Sequence, residues 1–228
     1  MATISRALHV AALGAVCLAV SCATWRVRVS PALESAAERR DALGVADALE
    51  ALIAEGEDSP ADREYAYDFV TRGEQGTAAY ALARATVTGR LVQQRGLLAA
   101  SLVRDVEDWA VRSVELDPDF RDGAAARLLG TLWVLAPAAF VEHGDSERGL
   151  EILAALVDDH PDRIENHLRL AEAFIALGDP APAETPLCVC LAQRATLRRD
   201  EQQLLDQLVA VYGTPGCSAT PGSLSAPR

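Results

Sequence analysis

The sequence predicts an all-α fold, an α-solenoid of stacked helix pairs. Apolar residues recur at helical spacing through most of the chain, and no stretch alternates as a half-buried strand does. Half of the residues are hydrophobic, yet only 5% are aromatic, and Ala and Leu dominate. A core of that composition favours helices packed through small side chains over a β-sandwich. Proline- and glycine-bearing turns then cut the helical tract into segments of unequal length. At 228 residues the chain is long enough for one medium domain with a real core.

Residues 1–21 read as a lipoprotein signal rather than as part of the fold. Arg6 supplies a positive start, Leu8 to Val20 an apolar run too short for a comfortable membrane span, and Leu18-Ala19-Val20-Ser21 leads to Cys22. Small residues before a cysteine resemble a bacterial lipobox, which makes Cys22 the expected lipidation site. An ordinary secretory signal ending near Ser21 is the alternative. Acyl chains on Cys22 would anchor the chain through hydrocarbon burial, about 0.8 kcal/mol per buried CH₂. Ala23, not Asp, follows the cysteine, which leans toward the outer membrane. The expected location is therefore the periplasmic side of a cell envelope. Residues 22–30 read as a short lipidated tether, 31–212 as the helical repeat domain and 213–228, rich in Pro, Gly and Ser, as a disordered tail.

The formal net charge is −12 and there is no lysine, so all 21 positive charges are arginines. An acidic chain without a basic block argues against nucleic acid and against anionic-lipid docking beyond the anchor. The absence of lysine reads as a base-composition bias. Cys188, Cys190 and Cys217 follow in a compartment expected to be oxidising. Cys188 and Cys190 would point to different sides of a helix and pair poorly with each other. Either can bridge to Cys217 and tie the tail down, or they stay free thiols. No further Cys or His sits at ligand spacing, so no metal is expected.

Element by element, Pro31 opens a helical tract that runs to Gly56. Glu57-Asp58-Ser59-Pro60 is a turn with Ser59 as a plausible N-cap, and Tyr65 to Val70 lies on the next helix. Thr77 to Arg95 and Leu97 to Leu116 form a pair, stopped at Leu116-Asp117-Pro118, because proline cannot continue a helix and displaces the residue before it. A second pair follows, with a long connection from Ala136-Pro137 to Gly144-Asp145 and Asp145 or Ser146 as cap. A third pair begins at Ile164; Pro180, Pro182 and Pro186 delay its second helix, with Thr185-Pro186 as the expected start. Arg199 to Tyr212 is the last helix.

Within the second pair, Leu129, Gly130 and Trp133 stand at small-and-aromatic spacing. Gly149, Leu153, Leu156, Val157 and Pro161 stand at the spacing of a partner helix, and Leu170, Ala171 and Phe174 repeat the first pattern. This is the signature of degenerate tetratricopeptide-type helix pairs. Arg127-x-Leu129-Gly130, Ala136-Pro137, Gly144-Asp145, His160-Pro161, Glu165-Asn166-His167 and Ala171-Glu172-Ala173 together resemble the T component (TatT-type) of TRAP transporter systems. The likeness covers residues 77–211 and is strongest over 127–175. It departs at Ala138-Ala139-Phe140, where a second proline would be usual. The resemblance implies a lipid-anchored periplasmic helical-repeat scaffold in transport, partnered by a periplasmic solute-binding protein. It also implies a homotrimer and an apolar or organic-acid ligand. A general envelope-assembly scaffold is the competing reading, and a periplasmic carrier of an apolar molecule a third.

Counting from the small-residue positions puts Tyr80, Arg84, Arg127, Val134, Leu168 and Glu172 on the concave face of the pairs. Phe140, in the long loop, is a further candidate contact. The two arginines would suit a carboxylate or else pair with local acids such as Glu172. Trp133, Phe174 and Trp109 are expected in the core, and Asn166 either contacts a ligand or satisfies a helix start. His143, His160 and His167 have no matching acid, nucleophile or metal spacing, and no phosphate loop or nucleophile elbow is present. The chain is therefore expected to be no enzyme and to need no cofactor.

Overall fold

The computed structural model describes residues 28–73 and 76–217. The signal, Cys22 and residues 218–228 of the tail lie outside the described residues. Ten α-helices follow one another: α1 (Pro31–Glu38), α2 (Ala42–Glu55), α3 (Pro60–Thr71), α4 (Ala78–Arg95), α5 (Leu102–Leu116), α6 (Ala124–Leu135), α7 (Ser146–Asp159), α8 (Ile164–Ala176), α9 (Glu184–Ala192) and α10 (Arg199–Tyr212). There is no strand among the described residues. The all-helical class read from the sequence is the class of the structure. No described helix is long and apolar enough to cross a membrane.

The punctuation explains most helix ends. Ser59 caps α3 in a reciprocal box: its side chain accepts from the Asp62 amide, and the Asp62 carboxylate accepts from the Ser59 amide at 2.8 Å. Asp62 also takes the Ser30 amide at 2.7 Å, so the end of the expected tether is held against the helical body. Asp145, not Ser146, caps α7. Two starts differ from the sequence reading. The tract 31–56 is broken into α1 and α2 at Arg40, whose φ of 56° is left-handed. The helix expected to open at Thr185-Pro186 instead continues from a 3-10 turn at Ala181–Ala183 and begins at Glu184.

Helices α4 and α5, α6 and α7, and α8 and α9 pack as neighbours. The tightest contact joins α6 to α7 through two glycines. A Cβ on Gly149 would stand 2.8 Å from the Gly130 carbonyl oxygen, and one on Gly130 would stand 3.0 Å from the Gly149 carbonyl oxygen. Alanine in place of glycine inside a helix ordinarily stabilises by about 0.5–1 kcal/mol. Here the sign reverses, because the obstacle is backbone. Gly149→Ala is expected to destabilise the chain by about 1–3 kcal/mol. Urea unfolding followed by circular dichroism measures it, and a stabilised variant would show that the two helices are not in contact there.

The even-numbered helices make an inner layer. Helix α2 contacts α4, α4 contacts α6, α6 contacts α8, α8 contacts α10, and α10 returns to α2. The inner helices therefore form a closed ring rather than an open ramp. Apolar clusters lie between this layer and the outer helices, including Leu33, Val45, Leu49 and Val70 at one end and Leu168, Leu187, Cys190 and Leu205 at the other.

Cys188 and Cys217 form a disulfide with a Cα–Cα distance of 5.4 Å, and Cys190 is a buried free thiol. The Gly216 amide donates to Glu184 at 2.7 Å. Gly213–Cys217 is thus bound to α9, which corrects the expectation of a disordered tail for that part. Burial pushes the Cys190 thiol up to about 12. The thiolate is the reactive form, so Cys190 is expected to resist iodoacetamide at neutral pH and to react only after unfolding. Peptide mapping of alkylated protein tests this, and labelling of Cys190 in the native chain would contradict its burial.

Candidate functional site

The inner helices line a cavity of about 1170 Å³ that is partly open to solvent. All five inner helices contribute to its wall, together with the start of α5 and the α6–α7 connection. Its apolar part is built by Val103, Leu128, Leu132, Leu135, Pro137 and Phe140. Its polar part carries as many arginines as acids.

Most of those arginines are already paired. Arg90 forms a two-pronged bond to Glu50 at 2.6 Å from each nitrogen, and Arg198, just before α10, reaches the same carboxylate at 2.8 Å. Burial pushes the Glu50 carboxyl up, but the Arg90 and Arg198 guanidiniums outweigh it and hold it below the usual carboxylate range. This cluster closes the ring between α2, α4 and α10. Nearby, the Arg199 guanidinium donates to the Glu55 carbonyl at 3.1 Å. Arg169 pairs with Glu172 at 2.7 Å on α8.

At the start of α6 the backbone is strained. Arg121, Asp122 and Gly123 all have positive φ, of 54°, 54° and 70°. For the two non-glycine residues this costs of order 1–3 kcal/mol each. Ion pairs offset it: Arg121 bonds Asp47 of α2 through two nitrogens, at 2.6 and 2.8 Å, and Asp122 bonds Arg163. The turn thereby ties α6 to both α2 and α8 at the edge of the cavity.

Arg127 is different. Its Nη1 donates to the Asn166 Oδ1 at 2.8 Å, and among the described residues it is the one cavity arginine with no carboxylate within 4 Å. Burial draws its pKa below the ordinary arginine value, with Glu165 and Glu201 acting against the fall and Arg169 and Arg163 adding to it. Asn166 is fully buried. Its amide nitrogen donates to the carbonyls of Leu156 and His160, at 3.0 and 3.3 Å, which turns its oxygen toward Arg127. The alternative in which Arg127 pairs with Glu172 is not what is found, since Glu172 is taken by Arg169.

The long connection after α6 is held from behind by Glu107 of α5. Its carboxylate accepts from the Trp133 indole at 2.7 Å and from the amides of Glu142 and His143 at 2.6 and 2.8 Å. Gly144 lies against the Trp133 ring, where any Cβ would overlap it. These contacts fix the loop that brings Pro137 and Phe140 to the cavity.

Of the residues expected on the concave face, Arg127, Phe140 and Glu172 line the cavity. Four do not, and the placement is corrected here. Tyr80 is buried in the first cluster, its hydroxyl on the Val70 carbonyl at 2.7 Å. Arg84 points to α5, over the Trp109 ring at 4.6 Å and 3.4 Å from Asp105. Val134 packs against the α7–α8 cluster with Leu153 and Leu170. Leu168 is fully buried between α8, α9 and α10. On α4 and α8 the inner face is turned by about one residue from the count. On α8 it is Glu165, Arg169 and Glu172 that face in, spaced as one side of a helix. The Glu50–Arg90–Arg198 cluster went unforeseen, and no local sequence signal marks it.

Fold and cavity define the class to which the chain belongs: an all-helical protein whose inner helices line a partly open cavity with apolar and salt-bridged walls. No protein-family model matches the chain, and no curated protein matches it.

Proposed function

We propose that this chain is a lipid-anchored periplasmic scaffold of a TRAP-type transport system. In this reading the helices are degenerate tetratricopeptide-type pairs, curved until their inner helices meet, and the outer surface receives a periplasmic solute-binding protein. The single observation that carries the proposal is the chamber walled by alternate helices, because a passive spacer has no need of a large cavity with an apolar wall. The pairing of α4 with α5, α6 with α7 and α8 with α9, and the glycine crossing between α6 and α7, support the repeat reading.

An affinity capture from detergent-solubilised membranes of the native organism, read by mass spectrometry, tests the proposal. Recovery of a periplasmic solute-binding protein is the expected result. Recovery of outer-membrane assembly components alone would overturn it in favour of a general envelope scaffold.

A further inference from the structure

We infer that the cavity is a binding site for a monoanionic amphiphile, a carboxylate with an unbranched apolar chain, whose carboxylate is taken by Arg127 and whose chain lies along the inner face of α6. This deepens the transport reading by naming the chemistry of the cargo, and it rests on that reading only for what the cargo is for.

Charge carries the first step. A guanidinium has five N–H donors in a planar fork that matches a carboxylate. In Arg127 one donor is used, and by a neutral amide; the others have no acceptor among the described residues. Those donors are not sealed from solvent, so a carboxylate in the cavity can reach them. Every other arginine of the wall has its carboxylate, so the lack of one is specific to this position. The fork is also held in place, since Asn166 is pinned by two backbone carbonyls. Such pre-arrangement lowers the ordering cost of binding.

Shape carries the second step. From Arg127 the inner face of α6 continues through Leu128, Thr131, Leu132 and Leu135. Eight residues of helix span about 12 Å, the reach of a medium-chain fatty acid. The strip ends at Pro137 and Phe140, which the Glu107 hydrogen bonds hold in position. Along this strip the Arg127 end is cationic and the remainder largely apolar.

Charge count carries the third. Glu165 and Glu201 lie in the same wall near Arg127. Arg163 and Arg169 balance them, so Arg127 leaves one positive charge for a ligand, and a phosphate ester or a dicarboxylate carries one negative charge too many.

Equilibrium dialysis of radiolabelled octanoate against the full chain in lipid nanodiscs, with empty discs as the blank, tests the inference. Octan-1-ol, octanedioate and octyl phosphate are the comparison probes. The expected result is saturable octanoate binding, tighter than that of each comparison probe by roughly tenfold or more, the worth of a charge-assisted hydrogen bond. Arg127→Gln is expected to lower octanoate affinity roughly tenfold to a hundredfold and to leave octanol binding unchanged, which also reports that the cavity is intact. Arg127→Lys is expected to retain part of the preference. Equal binding of octanoate and octanol by the unaltered chain overturns the inference without need of any variant. So does octanoate binding that survives Arg127→Gln, and so does a preference for octanedioate or octyl phosphate. Capture of a solute-binding protein is independent of these outcomes, so the cargo and the partnership fail separately.

Discussion

Glu107→Ala is expected to destabilise the chain by about 3–5 kcal/mol, the range found when a buried hydrogen-bonded charge site is broken. Glu107 has no measurable exposure, and its carboxylate accepts from the Trp133 indole and from two backbone amides. Removing it leaves the buried Trp133 indole and two partly buried backbone amides without an acceptor, and a buried donor so left costs about 1–3 kcal/mol. Water entering the space softens that sum. The α6–α7 connection would come loose first, since Glu142 and His143 have no other tie to α5 of comparable burial. Glu107→Gln keeps the size of the side chain and loses the charge, so a smaller loss is expected.

The same group gives a pH dependence of definite sign. Burial raises the Glu107 carboxyl, but the Glu142 and His143 amides and the Trp133 indole outweigh it and hold it below the usual carboxylate range. The folded state thus releases this proton more readily than the unfolded chain, whose glutamate titrates at about 4.3. The resulting stabilisation is fully present above that value. It is lost as pH falls through the lower, folded value. Urea unfolding from pH 7 to pH 3 is expected to show a steeper loss for the unaltered chain than for Glu107→Gln. Parallel curves would mean that the carboxylate does not carry these hydrogen bonds.

Glu50→Ala is expected to open the ring. Glu50 holds Arg90 of α4 and Arg198 at the head of α10 with one carboxylate. Without it two partly buried guanidiniums face each other, with Asp200 the nearest remaining acid, 3.6 Å from Arg90 and 3.1 Å from Arg198. A loss on the order of 3 kcal/mol follows. Its distribution is the more telling readout. Amides of α10 are expected to exchange with solvent faster, while those of α6 and α7 are unaffected, because local opening proceeds from the weakest junction. Uniform acceleration throughout the chain would show instead that the cluster serves global stability and not closure.

The fold was largely legible because its signals are local. Helical spacing, the Ser59 and Asp145 caps and the proline stops act within a turn or two of the residues that carry them. The glycines at 130 and 149 stood out by their spacing, and the structure gives them a physical reason in the close approach of two backbones. The cavity was legible only in part. Counting found Arg127 on α6 and Glu172 on α8, but on α6 it also chose Val134, which packs against α7 and α8. The same count on α4 and α8 chose Tyr80, Arg84 and Leu168, which are claimed by neighbours: α3 for Tyr80, Trp109 for Arg84, and α9 with α10 for Leu168. Which residue faces inward depends on how far each helix is rotated, and that is set by partners distant in sequence. The Glu50–Arg198 contact spans 148 residues and has no trace in local pattern. Cysteine spacing left a bridge from Cys188 or from Cys190 to Cys217, or free thiols, and the orientation of α9 selects Cys188 by burying Cys190 against the Ile164 carbonyl.

The central claim is that a ring of helices lines a cavity in which Arg127 takes a carboxylate. A crystal structure of the full chain with octanoate brominated at its far end tests it most directly. The account predicts both carboxylate oxygens within hydrogen-bonding distance of the Arg127 guanidinium and the anomalous signal of bromine beside Leu135 and Phe140. Bromine on the outer surface, or Arg127 turned onto Glu165 in an unoccupied cavity, would contradict it.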